Sequence, residues 1–239
     1  MYKEYETKPE ESSRIRSAYG KLFESIEKVS NEETDVVVFT TNYDRVIEEF
    51  CMDTPQYDLV DGFIHDPRHR IYGWNPKEFG RTGGNRTLVK LFKLHGSLDW
   101  RKTHDGRIVQ IRSEQRIVRS NLYERNMLIY FATHEKPAEE PFVTLYEHFS
   151  KQLLEADVLI TIGFSYRDDH INDIVSNSFG KTKHVSAISV GSVSPETFQD
   201  IMGQEGARRL DNYVNYKPEF PKKSLLMNIE DELIVLSSR

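Results

Sequence analysis

The sequence predicts an α/β protein, a Rossmann-like parallel sheet with helices on both faces, on three observations. Val36 to Phe39, Asp157 to Phe164 and His184 to Val190 are short apolar runs, in the manner of strands buried on both faces. Segments with apolar residues every three or four positions stand before and between these runs, which is the spacing of helices. Strands alternating with helices bury their apolar surface best as a parallel sheet covered on both sides.

In chain order, RIRSAYGKLFESIEKV predicts a helix, VVVF the first strand, and DRVIEEF the start of the next helix. Residues 53–86 carry Pro55, Gly62, Pro67, Gly73, Pro76, Gly80, Gly83 and Gly84 among scattered aromatic residues. That composition predicts an irregular insertion, a long loop or lid-like excursion. LVKLFKLHGS and MLIYFA read as two further strands, PFVTLYEHFSKQLLEA as the helix before DVLITIGF, and HINDIVSNSF as the helix before HVSAISV. Residues 191–239 form a C-terminal extension with a helical piece, ETFQDIMGQEGARRL, and a strand-like ELIVL. The expectation is a single domain over residues 1–239.

Composition narrows the function classes. With 32 basic and 38 acidic residues, a net charge of −6 and no long basic block, the chain lacks the footprint of direct nucleic-acid binding. Cys51 is the single cysteine, which rules out a disulfide within the chain and a cysteine zinc ribbon. No apolar run approaches the roughly 20 residues of a membrane span. Together these point to a cytoplasmic protein without a membrane segment.

In open α/β sheets ligands bind beyond the carboxyl ends of the strands, so the residues that follow each apolar run carry the functional reading. They are Thr40, Thr41, Asn42, Tyr43 and Asp44 after the first run, His95, Gly96 and Ser97 after another, and Gly163 through Asp169 after a third. Each has a structural reading as well. Asn42 or Asp44 suits a helix cap, and His95 suits an ordinary half-buried histidine. Gly96 suits a tight turn or the close approach of a ligand. Asp168 and Asp169 suit the first turn of a helix through its dipole.

TTNYD, KLHGSLDW and IGFSYRDDHIN, in this order, resemble the bacterial sirtuin-like family, the NAD-consuming relatives of silent information regulator deacylases. The resemblance runs from Val36 to Val190 and implies a sirtuin-like fold. By that resemblance Thr40, Asn42 and Asp44, with Thr41 beside them, hold the nicotinamide ribose and amide, and His95 and Gly96 match a His-Gly motif. Gly163 and Ser165 line the ribose and phosphate side.

The residue types suit the implied chemistry. Breaking the nicotinamide–ribose bond builds positive charge at the sugar carbon, which fixed dipoles in a dry pocket stabilise. An asparagine amide orients a ribose hydroxyl or water, an aspartate fixes the carboxamide, and a histidine removes a proton. The expected catalytic set is therefore His95, Asn42 and Asp44.

Two departures from the family shape the expectation. A strand with a Gly-Ala-Gly-x-Ser loop, which wraps the pyrophosphate in the family, does not precede Val36. The fold is on this reading N-terminally incomplete: a fragment, a domain whose loop comes from a partner subunit or second copy, or one that has lost catalysis. The four-cysteine zinc ribbon of the deacylases is absent, so no zinc is expected and NAD hydrolysis is favoured over deacylation, as in prokaryotic immunity members that deplete NAD against phage. The rival from another class is a non-catalytic module for nucleotide binding or assembly. A serine hydrolase at Gly163-Phe164-Ser165 lacks the second glycine of a nucleophile elbow, where Arg167 stands. A metal site at His65 and His69 is interrupted by Pro67 and lacks the glutamate.

Overall fold

A computed structural model describes residues 17–24, 35–66, 71–111, 123–128, 138–191, 193–216 and 233–237. Strand β1, Val36–Thr40, pairs in parallel with β5, Thr87–Lys93, which pairs in parallel with β2, Tyr57–Val60. On the other side β9, Val158–Ile162, β10, Val185–Val190, and β11, Leu210–Tyr216, form a second parallel set. Between the two sets lies β12, Leu233–Ser237, antiparallel to both β1 and β9. The sheet order is β11-β10-β9-β12-β1-β5-β2.

Helices cover both faces, as alternation in the sequence predicts. Helical residues 17–24 (α1) and α2, Val46–Asp53, bury Tyr19, Phe23, Ile47 and Phe50 against Val36, Val38, Val89 and Leu91. The opposite face carries α3, Phe142–Glu155, α4, Asp169–Ser178, and α5, Pro195–Ala207, over Phe39, Phe92, Leu159 and Ala187. The period of two within β1 and β5 divides their side chains between these cores. It also places Lys93, in step with Val89 and Leu91, on the α2 side of the sheet.

The Gly- and Pro-rich stretch 53–86 holds more regular structure than its composition suggests. It contributes β2 to the main sheet, then β3, Phe63–Asp66, β4, Ile71–Trp74, and a 3-10 turn, Pro76–Gly80. β3 and β4 join β6, Gly96–Thr103, β7, Ile108–Gln110, and β8, Tyr123–Leu128, in a separate antiparallel sheet of order β3-β4-β7-β6-β8. The scattered aromatic residues are its core: the Phe63 ring lies 5.1 Å from Trp100 and 5.3 Å from Trp74. Phe79 stacks on Phe92 of the main sheet at 4.2 Å. Gly62 is required here, because a Cβ would lie 2.3 Å from the Trp74 ring and φ is +82°.

The other expected elements fall close to their sequence runs. Residues 14–16 and 25–29 of the first predicted helix, 129–132 of MLIYFA, and His69 lie outside the described residues. The C-terminal residues supply β11 and β12 to the main sheet and α5 to one of its faces.

Gly96 opens β6 with φ +86°, and a Cβ there would meet the Met127 carbonyl oxygen at 2.0 Å. The close approach that this glycine permits is that of the neighbouring strand, paired to it through Leu128. Gly96→Ala is expected to destabilise the protein by at least about 2 kcal/mol in urea unfolding. Gly73→Ala, where no atom lies within 4 Å, is expected to stay within about 1 kcal/mol of wild type.

Candidate functional site

The carboxyl ends of β1, β5, β9 and β10 share one edge of the main sheet, since these strands are parallel within each set and Thr40 and Ile162 both stand opposite Leu233. That register puts the two strand ends about 10 Å apart, two strand spacings. In open α/β sheets ligands bind beyond the strand ends at the switch point, where two such sets diverge, which here is above β12, between β9 and β1. All eight predicted site residues lie at strand ends on this edge.

The turn after β1 is held by its own side chains. Thr40 and Thr41 are buried, and Thr40 Oγ1 accepts from the Asn42 N–H at 3.1 Å. Asp44 Oδ1 accepts from the Val46 N–H at 3.0 Å, a local turn that leads into α2, whose N-cap is Arg45 rather than Asn42 or Asp44. Asn42 and Asp44 remain half-exposed.

His95 enters from the turn between β5 and β6, wholly buried, and its Nε2 lies 2.7 Å from Asp168 Oδ2. Asp168 precedes α4 and its other oxygen accepts from the N–H groups of His170, at 3.0 Å, and Ile171, at 3.1 Å. A single carboxylate thus caps a helix and grips the histidine. Burial pushes this carboxyl up, but the His95 hydrogen bond and the two helix N–H groups outweigh it and hold it below the ordinary value. An ionised carboxylate only accepts, so in the neutral ring Nε2 carries the proton and Nδ1 is the basic nitrogen.

Two tyrosines complete the wall. The Tyr43 ring centroid lies 6.5 Å from that of His95, which links the β1 turn to the histidine. Tyr146 of α3 has a buried hydroxyl with no hydrogen-bond partner among the described residues. Burial first, then the charges of Asp168 and Tyr43, push its pKa up, so it stays a neutral donor.

Gly163 and Ser165, after β9, are exposed. Gly163 has φ +69° and donates to Val190 O at 2.9 Å. Tyr166 is the one non-glycine residue with positive φ among those described, at 55°. That strained conformation is held by Asn172 Nδ2, which donates to Tyr166 O at 2.8 Å. The bend turns the chain so that Asp168 reaches His95.

The structure thus brings the Asn42–Asp44 turn and His95 together and adds four residues outside the expected site set, Asp168, Tyr146, Glu48 and Lys93. Asp168, expected in the first turn of α4, stands at its N-cap with Asp169 in the first turn, and only the folded chain reveals its second partner, His95. Tyr146 carries no local signal in an amphipathic helix. Glu48 and Lys93 form a wholly buried ion pair of 3.0 Å beneath the β1 turn. Lys93 is legible in hindsight as a cation at a core-facing position of a strand. Cys51 is no nucleophile: burial pushes its thiol up to about 12.

The two parallel sets, with helices on both faces, define the class, an α/β protein with a Rossmann-like sheet. A family description of SIR2-like domains matches residues 36–210, well over half of the chain, and the chain belongs to that family. The family uses NAD. No curated protein matches the chain. No helix among the described residues is long and apolar enough to cross a membrane, and no group of three or more potential metal ligands occurs among them.

Glu48 has a testable titration. Burial raises its pKa from 4.5 to about 7 against the lowering effect of Lys93. The native state therefore binds this proton more tightly than the unfolded chain, and stability falls as pH rises from about 4.5 to about 7. Glu48→Gln lacks this dependence. Between pH 5 and 8 wild type is expected to lose about 2 to 3 kcal/mol relative to Glu48→Gln in urea unfolding, and parallel pH profiles would refute the assignment.

Proposed function

We propose that this domain hydrolyses NAD to nicotinamide and ADP-ribose. The observation that carries the reading is the buried His95 held at 2.7 Å by Asp168 at the switch point, with Asn42 and Asp44 on the adjoining turn. With Nε2 committed to Asp168, Nδ1 takes the proton from a ribose hydroxyl or the attacking water, and Asp168 stabilises the imidazolium that forms. Asn42 orients that hydroxyl or water, and the second oxygen of Asp44 accepts from the carboxamide. Thr40, Thr41 and Gly96 shape the ribose wall, and Gly163 and Ser165 the phosphate side. The role of a prokaryotic defence effector that drains NAD is the extension of this reading to the cell, and it rests on the resemblance to immunity members.

One observation favours the second reading, a non-catalytic nucleotide-binding or assembly module. The first amides of α4, which would otherwise face an anion, are taken by the Asp168 carboxylate. The pyrophosphate then needs donors from elsewhere, and a partner subunit or second copy supplying a glycine-rich loop is the form in which the hydrolase reading meets that need.

The two readings part in one assay, nicotinamide release from NAD by the purified chain. His95→Ala and Asn42→Ala are each expected to lower the rate by about 100-fold or more. Asp168→Ser keeps a capping side chain but is too short to reach His95, so the melting temperature is expected to hold while the rate falls by about 10-fold or more. Equal background release by wild type and all three variants would establish the module.

A further inference from the structure

The β1 turn and the His95 turn are joined by four charged side chains that neither reading has used. Arg45 and Glu48 follow Asp44 by one and four positions, while Lys93 and Asp99 stand two before and four after His95. The Lys93 ammonium meets Glu48 Oε1 at 3.0 Å, and both side chains are 2% exposed. Arg45 Nε meets Asp99 Oδ2 at 3.2 Å, with 15% and 8% exposed. Each pair thus has one member on either motif, and Asp99 also acts on Glu48 electrostatically.

Hydrogen bonds to backbone carbonyls run in the same direction. Lys93 Nζ donates to Asp44 O. The Leu98 N–H and the Ser97 hydroxyl reach Tyr43 O at 3.0 and 3.3 Å, and the Leu94 N–H reaches Thr40 O at 2.8 Å. Residues 93–98 therefore fix three carbonyls of the segment 40–44. The ammonium is the one of these donors whose burial carries a heavy desolvation penalty.

Stability does not account for such a pair, because a well-packed apolar replacement of a buried ion pair is often neutral or stabilising. What an apolar pair cannot do is donate to a carbonyl or fix a direction. We propose that the crossed pairs Lys93–Glu48 and Arg45–Asp99 are a positioning device that sets the Asn42–Asp44 turn in register with His95. Lys93, Glu48, Arg45 and Asp99 are on this view positioning residues, and the inference rests on the hydrolase reading only for its effect on rate.

The test replaces Lys93 by Met and Glu48 by Leu together, and measures hydrogen exchange of the intact chain. Exchange of the amides of residues 41–46 is expected to rise by about tenfold or more, with the amides of β1 and β5 unchanged and the melting temperature within a few degrees of wild type. In a chain that hydrolyses NAD, kcat is expected to fall by about tenfold or more with KM changed less. Lys93→Arg, which keeps the charge and a donor, is expected to restore part of the protection.

Unchanged exchange at 41–46 in a folded double variant overturns the proposal. Should that variant unfold, Arg45→Met with Asp99→Leu is read by the same exchange measurement. Unfolding of both overturns the proposal too, since the pairs would then hold the fold rather than the turn. A wild-type chain inert toward NAD, with fast exchange in the double variant, defeats the hydrolase reading and leaves the positioning device standing.

Discussion

The contact between His95 and Asp168 is the one on which the site depends, because its two ends belong to different halves of the sheet. His95 follows β5, in the set that includes β1 and β2, and Asp168 follows β9, in the set with β10 and β11. Parallel pairing within each set aligns strand ends but says nothing about the distance across the switch point. A 2.7 Å contact fixes that distance at one place. The demand on Asp168 is geometric as well as electrostatic, since one oxygen must cap α4 while the other faces the ring. The positive φ of Tyr166 is where the local backbone strain is absorbed.

β12 acts on the same constraint from below. It enters at Leu233, level with Thr40 and Ile162, and runs against both neighbours. A central strand paired on both sides closes the gap between the two halves, leaving β11 and β2 as the edges, and sets the halves one strand apart. The width of the crevice is therefore a property of the sheet, while its depth and chemistry belong to the loops. This division suits an α/β site, in which a rigid ladder carries variable polar turns.

Much of this was legible in the residues. β1, β9 and β10 announce themselves as apolar runs, and α3 and α4 by their period, because burial against a sheet imposes patterns that local sequence records. The polar strand ends, and hence Asn42, Asp44, His95, Gly163 and Ser165, follow from the same reading. What was not legible depends on pairings distant in sequence. Four-residue strands such as β3 and β4 are too short for a period to stand out, and glycines there serve packing, as Gly62 does under Trp74. The central place of β12 cannot be inferred from ELIVL, since a strand-like segment does not state its neighbours. Lys93 and Glu48 were readable as residue types, but their partnership spans two motifs and arises only when α2 is laid over β5.

The charge of the site constrains what can be done there. Asp44, Asp168 and Asp169 contribute carboxylates to the turns after the strands, Lys93 is spent on Glu48 and Arg45 on Asp99, and Arg167 is an exposed cation in the turn after β9. Positive charge developing on a sugar carbon is stabilised beside these carboxylates, whereas phosphates are favoured only on the Arg167 side. The α4 amino terminus, the usual remedy for phosphate, is already occupied by a carboxylate. A ligand that places its developing cation beside His95 and Asp168 and its phosphates toward Gly163, Ser165 and Arg167 rather than on the α4 amides satisfies both conditions. On the hydrolase reading, that orientation puts the nicotinamide ribose beside His95 and the pyrophosphate on the side of Gly163, Ser165 and Arg167, where a glycine-rich loop from elsewhere would add backbone donors.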